Sequence, residues 1–505
     1  MSINQKHIRR ILLLLGIFIF QFPTISGQSN LIDVKRVPVF FPEKIQFVAN
    51  AEYVDWLENK NDTATIIKIV ISGNKKTKDW IIKRELQYVE GSKIPTFKLD
   101  SLLKLEANKV FNTNLFITAK VGFTPVGNGL IELRVEVIEK LYTYIFPVFD
   151  LADRNFNEWW QNQGGDLNRA EYGLNFRRRN VRGRNESFNV DFRWGFNRKV
   201  KVSYIFPYIN KARTLGLSTG FQYLTNRNVP YATENDKLAF LDSENTVRKR
   251  FRYDVRLSKR DSFYTTHSLS SRFLYESVSD SVLDLNPFYF GDGTTRKQAV
   301  KVLSLTYSFN YNFTDIQAYP LNGKILDIKL SKYGLGFFGD VDMWEVYASY
   351  RKFTHLGGRF YLANQVAGKF SSPVNQPYGI AKGLGYVQDF VRGYDLYVID
   401  ADKYTYNRNT IRFKLLDKVF DIKKYVPFKQ FNTLPVLVML KAYFDNGYSQ
   451  NKGFAPDSNR LDNRWLYGGG VGLDIFSFYN STLKMEYSLN GLGEQGFFFY
   501  YNASF

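Results

Sequence analysis

From Leu141 to Phe505 the chain is a succession of short segments in which every second residue is apolar or aromatic, and this alternation constrains its fold more than any other feature. Successive side chains of a strand point to opposite faces, so a period of two marks a sheet whose two faces meet different surroundings. Within residues 250–257, Phe251, Tyr253, Val255 and Leu257 share one face and Arg250, Arg252, Asp254 and Arg256 the other. At the end of the chain Phe497, Phe499, Tyr501 and Phe505 oppose Phe498, Tyr500, Asn502 and Ser504. About sixteen such segments can be marked: 142–149, 171–178, 187–194, 200–206, 215–224, 250–257, 263–276, 300–313, 324–330, 343–350, 359–370, 404–415, 434–444, 465–475, 483–489 and 497–505. An even number of antiparallel strands suits a closed transmembrane barrel, which leaves no edge and satisfies every backbone group within lipid.

Composition agrees with a barrel. Aromatic residues make up 17% of the chain, and no apolar run beyond residue 27 reaches the length a spanning helix needs. There is no cysteine, so an exported chain of this kind must rely on hydrogen-bond ladders and packing rather than disulfides. Lys and Arg total 68 against 48 Asp and Glu, a net charge of +20. The basic residues are spread through the strands of an exported chain, so attraction to anionic lipid headgroups explains them better than nucleic acid does.

Residues 1–27 form an export signal. Lys6, His7, Arg9 and Arg10 supply its positive end, residues 11–22 its apolar core, and residues 24–27 the small side chains for cleavage after Ser26 or Gly27. Residues 28–63 are polar, weakly periodic and read as a linker. Residues 64–139 form a compact α/β module. A strand at 65–71 turns at Ser72-Gly73-Asn74, and Thr77 can cap a helix on which Trp80, Ile81, Ile82, Leu86 and Val89 recur before Gly91 closes it. A second helix, 99–110, turns Leu102, Leu103, Leu105 and Val110 inward. Strands 115–123 and 130–138 follow, joined through Gly127-Asn128-Gly129. The order is β-α-α-β-β, and the barrel occupies residues 140–505.

Connection lengths orient the barrel. Those after the first, fifth, seventh, eleventh and thirteenth segments are long, while most even-to-odd connections are short. If the module is periplasmic, the odd-to-even connections must lie outside the cell, and outer-membrane barrels have this asymmetry of long external loops and short periplasmic turns. Residues 416–433 form a long connection on that side and depart from the rule.

The module resembles a POTRA (polypeptide-transport-associated) domain in Ile71-Ser72-Gly73-Asn74 followed by Thr77, Arg84-Glu85-Leu86 followed by Gly91, Asn114-Leu115-Phe116, and Val135-Glu136-Val137. It departs from that pattern at Asn112-Thr113-Asn114, where the family usually has a Gly before the aromatic. Such a module followed by a barrel resembles the outer-membrane assembly and two-partner-secretion superfamily, the BamA-like and TamA-like proteins. The loop after the eleventh segment carries Val391-Arg392-Gly393-Tyr394 at the family's V-R-G-[FY] position. Tyr443-Phe444-Asp445-Asn446-Gly447 matches its F-x-D-x-G with Tyr in first place, and 315–323, with Tyr319-Pro320 and Gly323, resembles its turn before the ninth strand.

The resemblance implies that Arg392 enters the lumen and pairs with Asp445, since a guanidinium buried there needs a carboxylate and a fork pins the loop. Family members often offer a second acid on the twelfth strand; residues 410–414 have none. Gly468, Gly470 and Gly472 face inward, either to make room for the loop or to let the strand curve. Phe497, Phe499, Tyr501 and Phe505 resemble the terminal signal by which such barrels are recognised. Pro147, on the first strand, has no N–H for a ladder and suggests a weak seam with the last strand.

Chemistry is sparse. His7 belongs to the export signal, His355 lies in a turn, and His267 and Ser268 are adjacent on a strand and face opposite sides. No metal-ligand spacing or phosphate loop appears, so neither an enzyme nor a cofactor is expected. The resemblance implies an insertase for outer-membrane proteins in a Gram-negative outer membrane, with the module in the periplasm. Its partners would be the lipid bilayer, unfolded outer-membrane or secreted clients, and periplasmic or lipoprotein accessory subunits. The alternative is a secretion pore for one dedicated partner. That class typically carries two modules and a plug helix, whereas this chain shows one module and no convincing plug. A passive porin needs neither module nor loop motif.

Overall fold

A computed structural model describes residues 63–502, apart from 97–98, 128, 152–165, 292, 294, 339–340, 375, 387–388, 425, 427–431 and 453–458. The export signal, nearly all of the 28–63 linker and Phe505 lie outside the described residues.

The module comprises β1 (Thr63–Ser72), α1 (Asp79–Lys83), β2 (Lys93–Pro95), α2 (Leu99–Phe111), β3 (Phe116–Gly127) and β4 (Leu130–Glu139). Its sheet has the order β2-β1-β4-β3, with β1 and β4 parallel. Ile66, Ile81, Ile82, Val110, Leu133 and Val135 are wholly buried between sheet and helices. Four details differ from expectation. A three-residue strand, β2, lies between the helices, where it pairs with the start of β1. The first helix covers only Asp79–Lys83, so Val89 falls outside it and is 56% exposed. Leu105 is also exposed, on the solvent side of α2. Thr77 does not cap α1: its hydroxyl donates to Glu139 Oε1 at 2.6 Å and receives the Asn180 amide at 2.8 Å. A threonine before a helix commonly caps it, but here tertiary partners claim the hydroxyl.

The barrel strands are β5 (Thr143–Leu151), β6 (Ala170–Val181), β7 (Glu186–Gly195), β8 (Arg198–Phe206), β9 (Leu215–Asn226), β12 (Arg248–Arg260), β13 (Thr265–Val278) and β14 (Ala299–Thr314). They continue with β15 (Gly323–Tyr333), β16 (Met343–Gly357), β17 (Phe360–Ser372), β18 (Lys403–Asp421), β19 (Thr433–Gln450), β20 (Trp465–Phe476), β21 (Thr482–Asn490) and β22 (Gln495–Asn502). These form one 16-stranded antiparallel sheet in chain order. The alternation resolves into an apolar outer face, where Phe192, Tyr253, Val366 and Phe444 are exposed, and a polar inner face, where Arg252, Asp254, Glu276 and Lys441 are buried. Glu276 accepts from Arg250 at 2.6 Å, and Asp254 accepts from Arg272 at 2.5 Å, so the inward charges meet across the ladder.

The connection marked at 416–433 is shorter than expected, because 416–421 and Thr433 belong to strands. The β18–β19 ladder continues past a bulge between Lys414 and Leu416 to the pair Asp421↔Thr433, so a long hairpin projects from that end of the barrel. A second hairpin, β10 (Asn228–Glu234) and β11 (Lys237–Asp242), rises between β9 and β12. Its signal in the sequence was Asn235-Asp236, both left-handed (φ 51° and 60°), as a type I′ turn requires. A short helix, α3 (Asp280–Leu285), follows β13.

The module sits against one end of the barrel. Arg84 reaches Tyr208 Oη and the Arg213 carbonyl beyond β8, and Glu85 accepts a two-pronged bond from Arg260 at the end of β12. Asn112 meets Asp315 and Gln317 beyond β14, and Asn114 accepts from Asn480 beyond β20. All of these are even-to-odd connections, so the module and the short turns share an end. Lys140, which leads into β5, donates to Asn114 Oδ1 at 2.6 Å. Burial pushes its ammonium well below the usual lysine range, and the nearby charge of Arg179 adds to the shift.

At the ends of the sheet, β5 pairs only with β6 and β22 only with β21 among the described residues. The first strand nevertheless lies beside the last ones: the Tyr144 ring meets Tyr479, in the turn before β21, at 6.3 Å. Pro147 stands opposite Leu174 on β6, within this terminal strand.

Candidate functional site

The connection from β17 to β18 spans residues 373–402 and returns into the lumen, carrying Val391, Arg392, Gly393 and Tyr394 to the inner wall. Val391 and Tyr394 are buried in an apolar cluster with Tyr397, Ile399, Tyr404, Tyr406 and Leu466. Arg392 donates from Nε to Asp445 Oδ2 at 2.7 Å and from Nη2 to Asp445 Oδ1 at 2.6 Å. Asp445 is wholly buried on β19 and also accepts the Arg392 backbone N–H at 3.3 Å. This parallel fork fixes both the position and the plane of the guanidinium.

Three neighbours complete the surroundings. Thr410, on β18, accepts from Arg392 Nη2 at 2.9 Å and so supplies an oxygen in the 410–414 stretch that lacks an acid. The Tyr443 ring lies 3.9 Å from the guanidinium carbon, giving that Tyr a stacking role. Arg408 Nε lies 4.0 Å from Asp445 and also donates to the Phe390 carbonyl at 2.9 Å. Phe444 points out of the barrel and is 54% exposed, so within 443–447 only alternate residues serve the loop.

The glycines divide by role. Gly393 has φ 96°, and its carbonyl accepts from Asn490 Nδ2 at 3.0 Å. A Cβ on Gly468 would lie 1.8 Å from the Arg392 carbonyl oxygen, so that position makes room for the loop. A Cβ on Gly447 would meet Val391 at 2.7 Å. Gly470 instead clears the Tyr443 ring, and Gly472 clears Lys441. Gly468→Ala is therefore expected to displace the loop while leaving the barrel foldable, whereas Gly469→Ala, whose Cβ would meet Tyr443 and Phe444 but no residue of the loop, is not. Limited proteolysis of the 373–402 loop in the two variants checks this.

Several residues that sequence reasoning missed extend the anchorage. Asp389 accepts from the hydroxyls of Tyr404 at 2.9 Å and Tyr406 at 2.7 Å. Asp395 bonds the Tyr500 hydroxyl on β22, and Tyr397 donates to Glu494, between β21 and β22, at 2.7 Å. The loop thus touches the strands that lead to the seam. A polar residue in a Gly-rich loop gives no sequence signal of its distant partner, so Asp389 and Asp395 could not be singled out beforehand.

The opposite end of the lumen is also filled. Residues 315–322 fold inward: Tyr319 is buried against Leu437, Met439 and Phe476 and donates to Asp474 Oδ2 at 2.6 Å. Asp474 and Glu486 both bond Lys441, and Arg412 covers the Tyr319 ring at 4.7 Å.

Elsewhere, His267 lies on the outer side of β13 with Tyr307 at 2.7 Å, while Ser268 is buried on the other face. Phe497, Phe499 and Tyr501 are exposed along the outside of β22. Among the described residues, no group of acidic or histidine side chains is placed to hold a metal ion.

No curated protein matches the sequence. Among solved structures, the chain is similar to CdiB from Escherichia coli, at 12% identity over 87% of this chain and 75% of that one, with a TM-score of 0.51. BamA from Haemophilus ducreyi lacking POTRA domains 1–3 is 15% identical over 86% and 84%, with a TM-score of 0.46. CdiB from Acinetobacter baumannii is 14% identical over 87% and 73%, with a TM-score of 0.45. The likeness to the Escherichia coli protein shows a shared fold. Residues 180–400, from the end of β6 through most of the lumenal loop, match the Omp85 superfamily domain. The chain thus carries an Omp85 superfamily domain within a 16-stranded barrel that has an α/β module at one end.

Proposed function

We propose that this protein inserts client β-barrel polypeptides into the outer membrane, in a non-enzymatic role, with its module facing the periplasm. The observation that carries this reading is the seam: β5 and β22 are the two ends of the 16-stranded sheet and share no ladder with each other among the described residues. Unpaired backbone groups within hydrocarbon are costly, so such an edge favours receiving another strand by β-augmentation. Pro147 removes one donor from this region and weakens any direct closure. The lumenal route is the less favourable one, because the 373–402 loop and the Tyr319 turn both occupy the interior.

The module has an edge of its own in β3, the outer strand of its sheet, suited to presenting extended clients. Depletion of the protein, followed by comparison of the outer-membrane proteome, tests the proposal. Loss of a set of barrel proteins is expected. Loss of one exported protein with all barrels intact would instead indicate a secretion pore.

A further inference from the structure

We infer that the junction between the module and the β6–β7 turn is a binding site for the headgroup of an anionic phospholipid such as phosphatidylglycerol. The site is built from two turns held together by direct bonds. Lys78 N–H donates to the Gly183 carbonyl at 3.0 Å, and the Asn180 amide donates to Thr77 Oγ1 at 2.8 Å. Gly183 fits so closely that a Cβ there would lie 2.0 Å from the Lys76 carbonyl oxygen. This clamp sets Lys75, Lys76 and Lys78 beside Arg182 and Arg184, all five of them exposed. A shallow, open surface depression at the module side is lined by Lys75, Lys76, Lys78 and Lys83 with Asn74, Asp79 and Trp80.

The acids nearby are already engaged. Glu139 accepts the backbone N–H groups of Lys76 and Thr77 together with the Thr77 hydroxyl. Asp79 accepts from Asn74 at 2.6 Å, and Glu90 is 3.4 Å from Lys83. Glu186 is shared by Arg182 at 2.8 Å and Arg184 at 3.8 Å, and it also accepts from Tyr204. Positive charge therefore remains in excess at this junction.

Position within the barrel identifies the ligand. Glu186 has the same parity along β7 as the outward Phe192 and Trp194, so the Arg182–Glu186–Arg184 group lies on the outer surface. Arg178 likewise shares a face with the outward Tyr172 and Leu174 and is exposed. Immediately along the strands runs a band of rings: Phe176 meets Phe188 at 6.1 Å, Phe188 meets Tyr204 at 6.0 Å, and Tyr204 stacks on Phe206 at 4.2 Å. An aromatic girdle marks the depth of the headgroups, and clustered Lys and Arg beside it attract anionic ones. The site adjoins β5, the seam strand, and its existence does not depend on client insertion.

The test titrates full-length protein in non-ionic detergent with dihexanoyl-phosphatidylglycerol or dihexanoyl-phosphatidylcholine, with bound lipid counted by native mass spectrometry. Phosphatidylglycerol is expected to bind at least tenfold more tightly, with an advantage that shrinks as salt rises. The triple variant Lys75→Gln, Lys76→Gln, Lys78→Gln should lose that advantage, and Arg178→Gln with Arg184→Gln should reduce it. A control that removes two charges, as the Arg178/Arg184 variant does, is Lys68→Gln with Lys104→Gln; it changes exposed lysines elsewhere on the module and should retain the advantage. Heat-modifiable mobility verifies the fold of each variant. Equal binding of the two lipids, equal loss in the control, an unchanged triple variant, or displacement by equimolar inorganic phosphate would each overturn the assignment.

Discussion

Asp445→Ala is expected to release the lumenal loop and abolish most activity, with Arg392→Ala somewhat less damaging. Removing one member of a buried ion pair typically costs about 3–5 kcal/mol, because the other charge is left without compensation. The two variants are not equivalent. Without Arg392, the Asp445 carboxylate keeps Arg408 at 4.0 Å. Without Asp445, Arg392 loses its carboxylate fork and keeps the Thr410 hydroxyl and the Tyr443 ring. The double variant should lose little beyond Asp445→Ala, since the interaction is gone after either step. Arg392→Lys should not rescue, because an ammonium cannot span both carboxylate oxygens and Thr410 in one plane. The barrel ladders do not depend on the pair, so protein abundance and heat-modifiable mobility should hold while protease sensitivity at 373–402 rises. Additive losses across the cycle would show that the two residues act separately.

The parts of this fold that were legible in the sequence are those governed by short-range periodicity. Each barrel strand from β5 to β22 announces itself by alternation, because lipid on one side and polar lumen on the other impose opposite chemistry on neighbouring residues. Boundaries were less visible. The β18–β19 extension carries Asp417, Lys418 and Asp421 within a few residues, so its period fades while its ladder continues. The short α1 shows the reverse error: Leu86 and Val89 continue an apolar spacing after the helix has ended, and only Leu86 is buried. At the site, Arg392 and Asp445 stood out through motifs, whereas Thr410, Arg408 and Asp395 belong to it only through register across the barrel. Pairings of this kind, between strands or across the lumen, are set by closure of the sheet, which no local pattern encodes.

Closure also governs the seam, where a covalent lock is expected to stop function. The chain contains no cysteine, so introduced thiols can pair only with each other. Ile145 on β5 and Phe497, Phe499 and Tyr501 on β22 lie on the outer face, clear of the loop contacts made by Asp395 and Tyr500. Ile145→Cys would be combined in turn with cysteine at each of the three β22 positions. A disulfide requires Cβ atoms about 3.5–4.5 Å apart, so the combination that forms one reports the register in which the seam closes. Among the described residues these strands share no ladder, and each net backbone hydrogen bond is worth only about 0.5–1.5 kcal/mol. A seam closed only by a few such bonds can open for an arriving strand; a disulfide cannot. Oxidised protein should therefore lose client insertion and regain it on reduction, while the single-cysteine parents remain active under both conditions. Full activity in the oxidised, cross-linked form would show that clients enter by another route, and the lumen, occupied by the loop and the Tyr319 turn, would then have to open instead.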